Sequence, residues 1–155
     1  MTDTPTAVRD AKALFLDNQL CYALYSTSLA MTKVYRPLLK ALGLTYPQYV
    51  VMLALWEQDA LSVGVLGERV SLDSGTLVPL LRKLLALGLV LRERSANDDR
   101  SVTISLTPAG KRLSKRAHGV HESVACVTQC SAVERKALTA QLHRLRTALL
   151  SGAAP

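Results

Sequence analysis

The sequence has few cysteines and no long apolar run. Three cysteines in 155 residues are too few for a small secreted scaffold held together by disulfides. The longest apolar stretch, Tyr49 to Trp56, has eight residues, whereas a membrane-spanning helix needs about 20. The first twenty residues carry several charges and contain no apolar segment of signal-peptide length. We therefore expect a protein of the reducing cytoplasm with no membrane partner, whose cysteines are free thiols, metal ligands or transient redox groups.

Signatures of enzymes and of disorder are also missing. No Gly-rich phosphate loop and no Ser/His/Asp set stands out, so nothing predicts a catalytic site or a bound cofactor. Neither repeats nor a low-complexity linker divides the chain. With 49% hydrophobic and 20% charged residues, the composition is that of a folded protein. A chain of this length buries about 70% of its unfolded surface, which predicts one domain over residues 1–155.

The formal net charge of +7 is concentrated in one segment. Residues 1–61 carry five basic and five acidic side chains, residues 62–116 carry ten and five, and residues 117–155 carry four and two. The middle segment therefore holds five of the seven net charges. Such a concentration indicates a polyanion-binding face, although a basic solvated surface would give the same count.

Apolar residues recur at three- to four-residue spacing along most of the chain, which predicts helices. Gly43 and Gly88 are expected to end the first and the fourth helix, and Pro37 to kink the first or open its final turn. Thr45 and Gln48 have the spacing of a capping box. The predicted helices lie at about residues 10–41, 46–58, 63–70, 75–87, 108–129 and 132–150, with Ser62, Asp73 or Ser74, and Thr107 as further N-caps.

Between residues 88 and 107 the pattern changes to alternation. Leu89 to Arg94 and Ser101 to Leu106 predict two short strands around a polar tip. A short helix, a tight turn, a second helix and a charged hairpin make a winged helix-turn-helix, whose second helix enters the DNA major groove. The sequence thus predicts a mainly α fold with a small β-hairpin wing. The winged module, at about residues 45–107, coincides with the basic segment.

Four motifs resemble one family of bacterial regulators. Asp98-Asp99-Arg100, followed by a strand and by Leu106-Thr107-Pro108-Ala109-Gly110, resembles the wing signature of the MarR family of repressors. Residues 16–25 (LDNQLCYALY), 44–49 (LTYPQY) and 72–77 (LDSGTL) resemble the OhrR branch of that family, the organic hydroperoxide sensors. The similarity covers about residues 12–150 and keeps the motifs in order.

The resemblance implies a homodimer on a palindromic operator of double-stranded DNA, with the two modules one helical turn apart. The helices at about residues 10–41 and 108–150 would then form the dimer interface. An apolar stripe on the last helix suits that use, although the same residues would also serve to cover their own subunit. The stripe consists of Leu138, Leu142, Leu145 and Leu149.

The winged module supplies the candidate DNA contacts. One face of the helix at 75–87 is small or basic, so that its backbone, hydroxyls and cations can approach bases and phosphates. That face carries Ser74, Thr76, Pro79, Arg82 and Lys83. In the wing, Arg100 would enter a narrow minor groove with Asp98 holding it by an ion pair; the alternative is a solvated turn charge. Arg92 and Arg94 are expected to contact phosphate.

Cys21 has two interpretations. Its position beside Leu20 and Leu24 on the first helix favours a small buried hydrophobe. The resemblance instead implies that Cys21 is the peroxidatic thiol, which reduces an organic hydroperoxide and becomes a sulfenic acid. It also implies that Tyr35 and Tyr46 of the partner subunit stabilise the thiolate and line its pocket.

Cys126 and Cys130 are spaced i,i+4 near the end of a predicted helix, where they would share a face. The resemblance implies that one of them resolves the sulfenic acid by an intersubunit disulfide with Cys21. We choose Cys126 because it lies farther from the frayed junction near Ser131, and Cys130 remains the alternative. Drawing the two sulfurs together would require helix movement, which would release the DNA.

The sequence also suggests three alternatives. Zinc would use ligand-type residues near the end of the fifth predicted helix, namely His118, His121, Cys126 and Cys130, but their spacing matches no structural zinc pattern, so we expect no metal. A MarR-type repressor that is released by a small phenolic ligand would need no thiol, and its release would survive mutation of all three cysteines. The third alternative is a thiol peroxidase. In that enzyme Cys21 would turn over only once per reduction cycle, and no other residues resemble a catalytic site.

Overall fold

A computed structural model of the chain describes residues 12–95 and 98–152, with the side chains of residues 94–101 outside that description. The described elements form a mainly helical fold with a small sheet, in the order predicted for a winged helix-turn-helix. The helices are a short 3-10 turn Leu16–Asn18, α1 Leu20–Lys40, α2 Tyr46–Glu57, α3 Val63–Val70, α4 Ser74–Ala86, α5 Pro108–Val127 and α6 Ala132–Gly152. The strands are β1 Leu61–Ser62, β2 Val90–Ser95 and β3 Asp98–Leu106.

The predicted N-caps of α2 and α4 are confirmed. Gln48 Oε1 accepts a hydrogen bond from the backbone N–H of Thr45 at 2.8 Å and so closes the capping box of α2. Asp73, and not Ser74, caps α4, because Asp73 Oδ1 accepts the backbone N–H of Thr76 at 2.8 Å. Each cap satisfies a backbone donor that the first helical turn leaves without an intrahelical partner.

Two glycines end helices as predicted. Gly43 follows α1 with φ +71° and Gly88 follows α4 with φ +66°, a left-handed backbone that glycine adopts without a Cβ penalty. In both turns the N–H after the glycine reaches back five residues, from Leu44 to Leu39 O at 3.2 Å and from Leu89 to Leu84 O at 3.1 Å. These are Schellman turns, and they satisfy the last carbonyl groups of each helix.

The predicted start of the first helix is wrong. Residues 12–19 form turns and the short 3-10 segment, and α1 begins at Leu20. Two amide side chains just before α1 donate hydrogen bonds to backbone carbonyls that a helix would pair with backbone N–H groups. Asn18 Nδ2 donates to Lys12 O at 2.8 Å, and Gln19 Nε2 donates to Ala13 O at 2.5 Å. Such local bonds compete with helical hydrogen bonds, and hydrophobic periodicity alone does not reveal them.

The wing has one strand more than the sequence predicted. The sheet is antiparallel with strand order β1-β3-β2, and β1 pairs Leu61 with Ile104. On the other side, β2 pairs Val90 with Leu106. With only two residues, β1 is too short to show an alternating pattern, so only the tertiary pairing reveals it.

The apolar core lies between the winged module and the adjoining parts of α1 and α5. Its largest fully buried side chains are Leu39, Val51, Met52, Leu55, Leu66, Leu77, Leu84, Val90 and Ile104. Leu39 is the buried residue of α1, and α6 contributes none. The first half of α1 and the whole of α6 are therefore packed far less than the module between them.

Hydrogen bonds fix the base of the wing to the helices behind it. Asp59, just after α2, accepts the backbone N–H of Leu106 at 2.8 Å and pairs with Lys111 Nζ of α5 at 3.0 Å. Trp56 Nε1 donates to Gly110 O at 2.9 Å. Burial raises the pKa of the Asp59 carboxyl, but the bonds from Leu106 and Lys111 outweigh burial and hold that pKa below its usual value. Sequence reasoning missed this junction, which links α2, β3 and α5.

Candidate functional site

Helix α4 divides into a buried and an exposed face. Leu77, Leu81 and Leu84 are buried against the core. The opposite face is exposed at every residue that the sequence assigned to DNA contact on this helix: Ser74, Thr76, Pro79, Arg82 and Lys83. The helix continues through Pro79, an exposed residue whose missing N–H removes one intrahelical hydrogen bond. The face is thus open to solvent.

Thr76 is held by the cap of α4. Its backbone N–H donates to Asp73 Oδ1 at 2.8 Å, and its hydroxyl donates to Asp73 Oδ2 at 3.3 Å. These bonds hold the pKa of the Asp73 carboxyl below its usual value, so Asp73 remains a charged acceptor at neutral pH. The start of α4 therefore has a defined backbone geometry before it meets any ligand.

Arg82 of α4 and Arg92 of β2 line one cavity of about 370 Å³ between α4 and the sheet. The predicted wing contacts Arg94, Asp98 and Arg100 belong to the strands, but their side chains lie outside the described residues. The backbone assigns Asp98 and Arg100 to β3, with Ser95 paired to Asp98, rather than to a polar loop of six residues. The wing is therefore longer, and its tip shorter, than predicted.

Cys21 is the second residue of α1 and is exposed in the single chain. A buried structural role within its own subunit is therefore wrong. Its neighbours Leu20, Tyr22 and Tyr25 are also exposed, at 59%, 39% and 62% of their surface. The thiol thus lies on an apolar surface that the single chain leaves uncovered.

Tyr35 of α1 and Tyr46 of α2 are brought together by the fold. Their ring centroids lie 4.8 Å apart, and Tyr49 adds a third ring 5.9 Å from Tyr35. Burial, with smaller effects of Tyr46 and Tyr49, raises the pKa of Tyr35 to about 12. Tyr35 therefore carries its proton at physiological pH and can donate a hydrogen bond to an anion.

Cys21 is remote from the tyrosines of its own chain. Fourteen residues separate it from Tyr35 on α1, which corresponds to about 21 Å along the helix axis. One chain therefore does not bring the thiol to Tyr35. A thiol–tyrosine site that includes Tyr35 requires a second copy of the chain.

Two cavities flank the tyrosine pair; the resemblance implies a pocket lined by Tyr35 and Tyr46, and the structure supplies the other lining residues. The first, of about 400 Å³, is largely aromatic and is lined by Tyr35, Tyr49, Leu53, Trp56, Glu57, Ser114, Ala117, His118 and His121. The second, of about 730 Å³, has Tyr46 in its wall and two cations of α1, Arg36 and Lys40, along its rim. In the sequence, the i,i+4 spacing of Arg36 and Lys40 indicates only that the two cations share one face of α1.

The C-terminal cysteines do not share a helical face. Helix α5 ends at Val127, and the turn after it places Gln129 at φ +52° with its N–H on Cys126 O at 3.2 Å. Cys126 is exposed in the last turn of α5. Cys130 lies beyond the helix, is half-buried, and donates from Sγ to Thr128 O at 3.2 Å. The prediction of a common face is therefore wrong, because the left-handed residue ends the helix before Cys130.

No metal or membrane feature appears in the described part of the chain. Within residues 12–95 and 98–152, no three His, Cys, Asp or Glu side chains approach closely enough to hold a metal ion. Across the same ranges, no helix combines the length and the apolar character needed to cross a bilayer.

The apolar stripe of α6 is open in the single chain. Leu138, Leu142 and Leu149 are exposed at 52%, 40% and 61%, and only Leu145 is half-buried. These leucines therefore do not mainly pack against their own subunit. Together with the exposed start of α1, they leave two apolar helix surfaces without a partner.

Known transcriptional regulators resemble this chain in sequence and in fold. Residues 33–117 match the family described as "Transcriptional regulator SarA/Rot". The organic hydroperoxide resistance transcriptional regulator of Bacillus subtilis is 45% identical over 130 residues, which cover 84% of this chain and 88% of that protein. AbfR of Staphylococcus epidermidis has a crystal structure with 33% identity and a TM-score of 0.73, covering 88% of this chain and 94% of that chain.

AbfR has also been solved in functional states. Reduced AbfR bound to DNA has 33% identity and a TM-score of 0.70, over 87% of this chain and 94% of that chain. The structure of AbfR with its disulfide formed has 35% identity and a TM-score of 0.60, over 84% of this chain and 91% of that chain. These relatives are transcriptional regulators and not enzymes. The chain belongs to the MarR family of winged-helix, DNA-binding transcriptional repressors, in the branch of organic hydroperoxide resistance regulators.

Proposed function

We propose that this repressor senses organic hydroperoxides through Cys21 and that oxidation of Cys21 releases it from its operator. The observation that carries the proposal is the contact of Tyr35 with Tyr46, 4.8 Å between ring centroids, beside apolar cavities. A gel shift on the promoter beside its own gene, with and without cumene hydroperoxide, is the direct test. A shifted band that peroxide leaves unchanged would contradict the proposal.

The working unit is a homodimer. Cys21 and its apolar neighbours on α1 are exposed, as is most of the leucine stripe of α6. Pairing of two copies through α1, α5 and α6 would cover both surfaces, which in a single chain remain unfavourably hydrated. The same pairing brings Cys21 of one subunit to the tyrosine pair of the other, which a single α1 cannot do over about 21 Å.

The chemistry requires a thiolate at Cys21 and a donor beside it. The thiolate sulfur attacks the terminal oxygen of the hydroperoxide, the O–O bond breaks, and the alkoxide leaves and takes up a proton to form the alcohol. Cys21 is oxidised to the sulfenic acid and the peroxide is reduced. Hydroxyl donors from Tyr35 and Tyr46 of the partner subunit would stabilise the attacking thiolate.

The resolving step then joins two subunits. The thiol of Cys126 attacks the sulfenic acid of Cys21, so that a disulfide forms and water leaves. The exposure of Cys126 at the end of α5 favours it over the half-buried Cys130. A disulfide tolerates only about 4.4–6.8 Å between Cα atoms. The helices would therefore move, and with them the α4 helices that must stay in successive major grooves.

DNA binding is assigned to α4 and the wing. The exposed face of α4 enters the major groove, and Arg92 and Arg94 contact phosphates. Arg100 enters the minor groove, oriented by Asp98, where a narrow groove has the most negative potential. The operator is a palindrome whose half-sites are one helical turn apart.

Replacement of Arg100 by alanine is expected to weaken operator binding about tenfold to a hundredfold, because one minor-groove arginine per subunit is lost. The measurement is a gel-shift titration of the reduced protein at several salt concentrations; affinity should fall steeply with salt in both proteins. Lys136→Ala on α6, which removes an exposed cation outside the winged module, serves as the control. Equal affinities of Arg100→Ala and Lys136→Ala would refute the wing contact.

Removal of one tyrosine hydroxyl is expected to slow oxidation of Cys21. Tyr35→Phe and Tyr46→Phe keep the ring contact but each lose a donor to the thiolate, which corresponds to about a tenfold lower rate. Stopped-flow oxidation by cumene hydroperoxide measures the rate at which Cys21 is oxidised. Tyr49→Phe is the matched control within the same cluster. Rates equal to that of the control would contradict the role of the two hydroxyls.

A phenolic effector is the second candidate. The aromatic cavity of about 400 Å³ beside Tyr35, Tyr49 and Trp56 has the size and lining to hold a small aromatic molecule. Such a ligand would release the operator without thiol chemistry. Release by a phenol from a variant in which all three cysteines are serine would favour this candidate over the thiol mechanism.

A further inference from the structure

The positive charge in the middle of the chain is concentrated in the first half of α5. Residues 62–107, which end with the wing, carry six basic and five acidic side chains and are almost neutral. Residues 108–116, with which α5 begins, carry four basic side chains and no acidic one. The next carboxylate along α5 is that of Glu122. Most of the excess charge therefore lies on α5 and not on α4 or the wing.

Three of the four cations of this half-helix have no carboxylate partner. Lys111 pairs with Asp59 at 3.0 Å, and the other ion pair of the described side chains lies between α2 and α3. The cations that form no ion pair within the described part of the chain are exposed, namely Arg112, Lys115 and Arg116. Of these, Arg116 donates from Nη2 to Ala41 O at the end of α1. The charges of Arg112 and Lys115 are therefore available to an anion from outside the chain.

The spacing of these cations works against the helix that carries them. Lys111 with Lys115, and Arg112 with Arg116, are like charges four residues apart on α5. Such pairs destabilise a helix, whereas opposite charges at the same spacing stabilise it. No packing gain accompanies the repulsion, because all four side chains are exposed. A pattern that breaks a local rule without a structural benefit is typical of a functional surface.

The outward face of this half-helix lacks apolar residues that a second copy of the chain would cover. Leu113, Ala117 and Val120 are buried on the opposite face. Within α5, which the structure describes throughout, the first large exposed apolar side chain is that of Val127, the last residue of the helix. A cationic face without apolar anchors suits a hydrated polyanion better than a dimer interface or a membrane surface.

We propose that the first half of α5 is an additional DNA-binding surface, on which Arg112 and Lys115 bind backbone phosphates without reading the sequence. The inference rests on the proposed function in one respect, because the DNA is the duplex that α4 and the wing hold. A duplex carries one negative charge for about every 1.7 Å of its axis, so phosphates remain available beyond the grooves that α4 and the wing enter.

The structure holds this half-helix rigidly against the wing. Thr107 directly follows β3, and its Oγ1 accepts the backbone N–H of Gly110 at 2.9 Å. Asp59 bonds both to the backbone N–H of Leu106, at the end of β3, and to Lys111 of α5. Arg112 and Lys115 therefore accompany the wing when it approaches DNA. Their phosphate contacts would add affinity to that of α4 and the wing and leave the choice of sequence to those elements.

The test removes the two available cations. Arg112→Gln together with Lys115→Gln takes four charges from the dimer. Fluorescence anisotropy at several salt concentrations gives the affinity of the reduced protein for operator DNA and for a scrambled duplex. We expect both affinities to fall by the same factor, about tenfold or more at low salt, and the slope of log affinity against log salt to flatten by about 1 for each cation lost. Lys136→Gln together with Arg144→Gln, exposed cations of α6, should change neither slope nor affinity.

A variant that preserves charge separates electrostatics from structure. Arg112→Lys together with Lys115→Arg should keep both the affinity and the salt slope. The variant with two glutamines should resist urea at least as well as the unmodified protein, because two like-charge pairs are relieved. A lower resistance to urea, with affinity also lost in the charge-preserving variant, would overturn the proposal in favour of a structural role.

The DNA measurements can contradict the proposal in two further ways. An unchanged salt slope in the variant with two glutamines would overturn it, and so would a loss confined to operator DNA, since phosphate contacts carry no sequence information. Unchanged DNA affinity together with lost binding of poly-L-glutamate would assign this face to an acidic protein instead. Arg100→Ala tests the wing separately, because it should weaken operator binding more than binding to the scrambled duplex. Either assignment can therefore fail without the other.

Discussion

Replacement of Cys21 by serine is expected to abolish release of the operator by organic hydroperoxides. Reduction of the hydroperoxide by the variant should be at least about a hundredfold slower than by the unmodified protein. The substitution changes one atom of one side chain of α1, so the fold and reduced-state DNA binding should be retained. A serine hydroxyl is not ionised at neutral pH and does not reduce a peroxide, whereas a cysteine thiolate does. Gel shifts before and after addition of cumene hydroperoxide measure the effect.

Non-reducing electrophoresis separates the sensing step from the resolving step. The unmodified protein should give a covalent dimer band after peroxide, and Cys21→Ser should give none. Cys126→Ser is the matched control, since it should lose the dimer band but still form the sulfenic acid at Cys21. If Cys21→Ser still released DNA on oxidation, the assignment of the sensing thiol would be wrong.

Replacement of Gly110 by alanine is expected to destabilise the protein by at least about 4 kcal/mol, which is an exceptional value for one methyl group. An added Cβ would lie 2.1 Å from Leu89 O, a backbone atom that cannot move aside as a flexible side chain can. The same residue donates its N–H to Thr107 Oγ1 at 2.9 Å and accepts Trp56 Nε1–H at 2.9 Å. Strain at Gly110 would therefore disturb the junction between the wing and α5.

Gly119→Ala is the matched control for this prediction. Gly119 is also in α5, but an added Cβ meets nothing within 4 Å. Alanine should there stabilise the helix by about 0.5–1 kcal/mol, because glycine loses more backbone freedom on folding. Urea denaturation of both variants measures the free energy of unfolding. A Gly110→Ala variant as stable as Gly119→Ala would contradict the close contact with Leu89.

Local chemistry made much of the fold predictable from the sequence. Thr45, Asp73 and Thr107 cap helices through bonds to residues three positions away, and Gly43 and Gly88 end helices by adopting positive φ. These interactions involve neighbours in the chain, so residue type and spacing reveal them. The start of the first helix also depends on local bonds, since Asn18 and Gln19 bind backbone carbonyls that hydrophobic periodicity does not reveal.

The candidate site was predictable only in part. The sequence motifs assigned Cys21, Tyr35 and Tyr46, but neither their relative placement nor the cavities beside them follow from residue spacing. The i,i+4 pair Arg36 and Lys40 reads as an ordinary solvated helix face until Tyr46 and Pro47 of α2 close a cavity against it. The i,i+4 spacing predicts a common helical face for Cys126 and Cys130, but Gln129 at φ +52° ends the helix before Cys130.

The winged helix-turn-helix, its basic charge and the exposed face of α4 follow from the sequence alone, because helical periodicity, caps and charge are short-range properties. Three-dimensional packing, in contrast, brings Tyr35 to Tyr46 and joins the wing to α5 through Asp59. These contacts join residues from different helices and strands. Their distances depend on how the elements pack against the common core, which no local pattern specifies.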